Sequence, residues 1–158
     1  MNDDQKIEYL RRSYSAVDGL WFVKIEEAYG FGKALSTDNE VWKMMPKIQA
    51  RFLRSIYGLD KGIEALRSCF TEKLLLDGFI FQTETDNQNH TFRVTITKCP
   101  WHDLMVKSRR ENLAHQVGDH ICNTEYSGWA REFGESISFE IQHQICSGSN
   151  LCVLQFSG

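Results

Sequence analysis

Cys99-Pro100-Trp101-His102 is the sharpest chemical signal in the chain. Proline is favoured at the first position of a helix, so Cys99 is expected as its N-cap. A thiol there faces unpaired backbone N–H groups and the positive end of the helix dipole, and both favour thiolate. His102 follows one helical turn later, a spacing that suits a metal-ligand pair or a Cys–His nucleophile pair. The plainer alternative is a small buried cysteine that caps a helix.

A second group, Cys122 with Glu125, shares one helix face at i, i+3 within His120-Ile121-Cys122-Asn123-Thr124-Glu125. Glu125 is placed to ligate a metal, to act as a general base, or to pair with Arg131. Cys146 and Cys152 flank the last turn, and their relation depends on hairpin register. A five-residue loop sets them opposite each other. A four-residue loop pairs Ile145 with Cys152 and turns the thiols apart, and a bulge at Gly148 reconciles the two.

Two site assignments follow from these motifs. Cys99, Cys122, Cys146 and Cys152 are the expected metal ligands, for zinc or iron, although no paired C-x-x-C knuckle is present. Cys99, His102 and Glu125 are the expected catalytic groups, with a thiolate or metal-bound water attacking and His102 or Glu125 moving protons. Cys69 reads as core, His143 as a core histidine and His90 as a turn residue, while His115 and His120 stay undecided. In the first half, Asp18, Gln49 and Arg51 are polar residues amid apolar stretches. An Asp18–Arg51 pair would be structural, or would line a pocket for a small polar ligand, walled by Trp21, Trp42, Trp101 and Trp129 if these are not simply core aromatics.

The elements that must position these groups follow from periodicity. Residues 4–29 form a long amphipathic helix on Ile7, Leu10, Tyr14, Val17 and Trp21. Leu20-Trp21-Phe22-Val23 widens its stripe until burial on every side is expected, and Gly19 marks a close contact or a break. Thr37-Asp38-Asn39-Glu40 fits a capping box that opens a second helix. Its expected core face is Val41, Met45, Ile48, Phe52 and Ile56, with Pro46 as a kink. A third helix covers residues 61–77. Alternation by two then gives one hairpin around Asp86-Asn87-Gln88-Asn89 and another around Ser147-Gly148-Ser149-Asn150. Helical segments at 100–117 and 120–133 lie between them. The order implies an α+β fold in a single domain, residues 1–158. A helical half (1–78) packs on a small antiparallel sheet of two hairpins, whose flanked helices complete residues 79–158.

The 158 residues suit one domain, with 42% hydrophobic and 25% charged side chains. The net charge of −3 falls wholly in residues 79–158, where all five histidines also lie. That balance argues against nucleic acid or an anionic membrane as partner. Without a signal peptide or an apolar run of about 20 residues, a cytoplasmic chain with reduced thiols is expected. A homodimer is left open.

Several motifs together carry a family resemblance. They are Val17-Asp18-Gly19-Leu20-Trp21-Phe22, Pro46-Lys47-Ile48-Gln49-Ala50-Arg51, Lys98-Cys99-Pro100-Trp101, Cys122 through Glu125-Tyr126, and Cys146-x5-Cys152-x-Leu154-x-Phe156. The set resembles a family of uncharacterised prokaryotic cytosolic proteins, itself similar to the L-2-amino-thiazoline-4-carboxylate hydrolase family, whose activity opens a thiazoline ring. The terminal hairpin also resembles the vinyl-reductase-type small-molecule-binding domain. That resemblance implies metal binding through Cys146 and Cys152. The leading expectation is a small-molecule-binding protein with a Cys/His-rich metal or reactive-thiol site. The alternatives are a hydrolase of a cyclic C–N bond and a structural or interaction module without metal.

Overall fold

Two helices of equal length, α1 (Asp3–Tyr29) and α2 (Phe31–Tyr57), are joined by Gly30 alone. The computed structural model describes all 158 residues. Asn2 caps α1 in a reciprocal capping box with Gln5, and α2 starts as soon as Gly30, at φ +90°, has turned the chain. Thr37-Asp38-Asn39-Glu40 therefore lies inside α2 and opens nothing. Its polar side chains serve tertiary contacts instead: Thr124 Oγ1 donates to Asn39 Oδ1 at 2.6 Å.

The remaining elements are α3 (Ile63–Asp77), β1 (Ile80–Asp86), β2 (Thr91–Lys98), α4 (Pro100–Lys107), α5 (Ala114–Phe133), β3 (Ser138–His143) and β4 (Cys152–Ser157). A short 3-10 turn precedes α5 and another, Ile145–Ser147, links β3 to β4. The segments expected at 100–117 and 120–133 thus divide earlier, because the chain turns at Ser108–Arg110 and then runs unbroken to Phe133. The strands form one antiparallel sheet in the order β1-β2-β4-β3, so the second hairpin joins the first through β4. The α+β architecture with two hairpins stands as expected.

The core lies between this sheet and α2, α3 and α5. It includes Phe70, Trp129, Phe133, Phe92 and Phe156, each essentially without solvent contact. Cys69 belongs to it. His143 does not: a bulge between Ile141 and His143 reverses the strand's parity and leaves His143 in solvent.

The outer helices depart most from expectation. α2 buries Ala34, Trp42, Pro46, Ala50 and Leu53, whereas Val41, Ile48, Phe52 and Ile56 of the expected core face are exposed. α1 buries no residue fully, and Leu20 and Trp21 point to water. Gly19 does not break α1, and a β-carbon there would make only ordinary contact with Leu104 of α4, at 3.6 Å.

Pro46 does not end α2. Its ring lies on Gly128 of α5, where a β-carbon would come within 3.0 Å of the Pro46 Cγ. A rigid ring cannot move aside, so the two helix axes would have to part. Gly128→Val is expected to cost about 1–3 kcal/mol of unfolding free energy by urea denaturation, with Gly32→Val, in open space, as the reference.

Candidate functional site

Four elements each bring one thiol to the same place. Cys99 is the N-cap of α4, Cys122 lies on α5, Cys146 sits in the 3-10 turn and Cys152 begins β4. All four line one cavity of about 20 Å³, otherwise walled by Phe79, Ile96, Tyr126, Ile141, Ile145, Leu154 and Gln144. Gly118 permits this closeness, since a β-carbon there would stand 3.0 Å from the Cys146 Sγ. Neither hairpin register weighed above occurs. Ile141 pairs with Leu154, and the turn then carries Cys146 back over the sheet.

Each pair among the four thiols raises one partner's pKa electrostatically, so all four share one field. Burial is the larger cause. It lifts Cys99 to about 12 and Cys146 to about 11, and it raises Cys122 and Cys152 as well. For Cys99 this reverses the expected sign: the backbone N–H groups of His102 and Trp101 pull the thiol down, but desolvation outweighs them. The Ile145 N–H donates to the Cys152 Sγ at 3.2 Å. As the side chains stand, no three Cys, His, Asp or Glu residues are drawn together tightly enough to grip an ion.

One turn along α5 from Cys122, and close enough for its charge to raise that thiol, Glu125 belongs to a second cluster. Its partner is not Arg131 but Lys73 of α3, at 2.6 Å, and Asp77 stands 3.3 Å from the same ammonium. Lys73 is 2% exposed and Glu125 3%. Burial pulls Lys73 down, yet the two carboxylates override it and hold it above its ordinary value; burial lifts Glu125 against the pull of Lys73. The Tyr14 hydroxyl is buried with no hydrogen-bond partner and lies in the field of Asp77, Glu125, Asp18 and Asp38. Burial raises Asp18 to about 6 and Asp38 to about 7, while the Trp42 side chain draws both down. Trp101 completes the group, edge-on to Tyr14 at 5.8 Å and to Trp42 at 5.7 Å.

The two clusters are therefore linked by a few residues. Cys99 and Trp101 lie two apart, and Cys122 and Glu125 three apart, with one of each pair at the thiols and the other at the polar group. Of the expected pocket residues, Asp18, Trp42 and Trp101 belong here. Trp21 points to solvent, and Arg51 pairs with Glu132 at 3.0 Å instead of Asp18. Gln49 buries its Oε1 without a partner. The expected catalytic trio is not assembled: Cys99 lines the thiol cavity, His102 does not, and Glu125 is held by Lys73. Tyr14, Asp38 and Lys73 were missed, and an Asp at i four residues before Trp42 on α2 was the available signal. A larger groove of about 650 Å³ between the ends of α2 and α5 is open to solvent, and its Arg51, Arg54 and Glu132 are engaged with one another or with Asp60. It contains none of the thiols.

Residues 3–150 match a family profile. The chain belongs to DUF6125, a family of unknown function. No curated protein matches this DUF6125 chain. Among solved structures it is similar to the phenol-responsive sensory domain of the transcription activator PoxR, crystallised with phenol. That likeness has a TM-score of 0.51 and 9% identity, and covers 90% of this chain and 73% of that one. A trafficking protein particle complex subunit 3 from Naegleria fowleri, covalently bound to palmitic acid, matches at a TM-score of 0.48 and 11% identity, over 95% of each chain. None of these is a thiazoline hydrolase. No helix is long and apolar enough to cross a membrane.

Two outcomes are expected. Lys73→Met removes the one cation that two buried carboxylates face, so it should cost about 3–5 kcal/mol in denaturant unfolding. Glu125→Gln leaves Asp77 beside the ammonium and should lose less than Lys73→Met. Asp18 and Asp38 have folded pKa values above their unfolded ones, so the fold binds their protons more tightly. Their stabilising effect is complete below about pH 4 and is lost as pH rises through 6 to 7. Asp38→Asn should remove on the order of 1–2 kcal/mol of that pH dependence after allowance for solvent screening, measured by urea melts at pH 5 and pH 8.

Proposed function

We propose that this chain is a small-molecule-binding domain in which the four thiols hold a soft metal ion and the adjoining polar–aromatic cluster receives the ligand. The observation that carries the reading is the convergence of Cys99, Cys122, Cys146 and Cys152, from four separate elements, on one cavity of about 20 Å³. A space of that size admits one water-sized occupant. Apart from Gln144 and Tyr126 the lining offers a water only weakly bonding thiols, whereas four sulfur donors suit zinc or ferrous iron. The raised thiol pKa values mean that an ion would enter by displacing protons and by drawing the sulfurs together. The Ile145 N–H to Cys152 Sγ bond already supplies the outer support that metal thiolates need.

For the ligand, Tyr14, Asp18, Asp38, Trp42 and Trp101 offer an unsatisfied hydroxyl, two partly protonated carboxyls and aromatic walls. Those groups suit a small, flat organic molecule with a hydrogen-bonding end. The PoxR sensory domain, similar in fold, is responsive to phenol. Cys99 ties the two functions together, because a metal bond at its sulfur would hold Trp101 against Tyr14 and Trp42. The hydrolase reading has less support, since its thiol is buried and protonated and its carboxylate is spent on Lys73.

Elemental analysis of protein purified without a histidine tag should find about one zinc or iron per chain. Cys146→Ser and Cys152→Ser should each reduce that content severalfold, and chelation should alter the fluorescence of Trp101. Metal-free protein with all four thiols freely alkylated under native conditions would overturn the metal reading.

A further inference from the structure

The groove between the ends of α2 and α5 holds about 650 Å³, within the roughly 300–1,000 Å³ of small-molecule sites. Its wall is charged, and Leu59 is the one hydrophobic residue along it. Four cations, Arg51, Arg54, Lys61 and Arg131, stand there with two carboxylates, Glu132 and Glu135. That excess runs against the chain as a whole, which has 18 basic and 21 acidic side chains.

Cations in the last turn of a helix answer its carbonyl dipole, which accounts for the placing of Arg54 and Arg131. It does not account for how little holds them. Arg54 is only 20% exposed, with its guanidinium over the Phe133 ring. A cation at that depth calls for a close anion. Its two terminal nitrogens reach the Glu132 carbonyl and the Asp60 carboxylate only at 3.4 Å each. Its Nε is shut off from water and donates to nothing. Asp60 is itself 95% exposed, so solvent screens that pair. Arg51 has Glu132 at 3.0 Å, whereas the exposed Lys61 and Arg131 form no ion pair.

The groove thus sets an undersatisfied, largely buried guanidinium beside two unpaired cations. A guanidinium offers a planar fork that matches two oxygens of a carboxylate or phosphate, and the ammonium adds a point charge. Several such groups around one space suit an anion with more than one charged end. We propose that this groove binds a small polyanion, a phosphorylated or polycarboxylate metabolite, with Arg54, Arg131 and Lys61 as its main contacts. The site shares no residue with the thiol cavity or the polar–aromatic cluster, and the proposal rests on neither.

Calorimetric titration of the intact chain at low ionic strength, with inorganic pyrophosphate and with citrate, tests it and separates the two sources. At least one of these anions should bind once per chain, and more weakly as salt is added. Arg131→Glu and Lys61→Glu should each weaken that binding by about tenfold or more. Glu135→Gln removes a carboxylate from the groove and should tighten it severalfold. Arg67→Glu, exposed on α3 and outside the groove, should leave it unchanged. Should either charge reversal fail to fold by circular dichroism, Glu135→Gln decides from the opposite direction. Binding of neither anion overturns the proposal, as does binding indifferent to the groove variants. A single-stranded oligonucleotide that binds more tightly than both anions also overturns it, and assigns the cations to a nucleic-acid backbone.

Discussion

An ammonium group buried to 2% exposure must have carboxylates beside it, and Lys73 sets that condition for the interior of the helical half. Glu125 and Asp77 meet it from α5 and from the end of α3. Their presence excludes a dry hydrocarbon interface at that level of the bundle, because their remaining oxygens need polar company. Tyr14, Asp18 and Asp38 gather around the same point. The bundle is apolar toward the sheet and polar toward α1, and that gradient decides where a small molecule could find hydrogen bonds.

The thiol cavity obeys the opposite rule. Its walls are almost entirely apolar, and its sulfurs are protonated because no charge nearby compensates for burial. Such a pocket is a poor place for a nucleophile and a reasonable one for a neutral thiol cluster or its metal complex. α5 serves both regions by presenting Cys122 and Glu125 one turn apart. α4 does the same with Cys99 and Trp101. Two short stretches therefore couple an apolar sulfur cluster to a polar aromatic one.

Much of this was legible in the residues themselves. The grouping of Cys99, Cys122, Cys146 and Cys152 followed from three motifs, and the hairpins and α+β order from periodicity and turn chemistry. Periodicity could not say which way a stripe points. Val41, Ile48 and Phe52 read as a core face because an amphipathic helix has the same pattern whether or not its apolar side meets the core. The Lys73–Glu125 pair joins residues 52 positions apart, and nothing local marks either as buried. His143 was misplaced by one bulged residue, since parity along a strand is lost at a bulge. The Cys99 thiol went the wrong way because the N-cap dipole is visible in the sequence and the depth of burial is not.

Gly30 is the only residue between α1 and α2, each of 27 residues. Such a joint has no spare chain with which to absorb a sliding motion along the helices. Displacement of α1 is thereby confined to rotation about one end of an arm roughly 40 Å long. A tilt of about 4° at that pivot carries Asn2 through roughly 3 Å, while Tyr14 and Asp18, nearer the pivot, travel proportionally less. The hairpin thus acts as a mechanical amplifier, turning a slight change at the polar cluster into a larger excursion at the amino terminus.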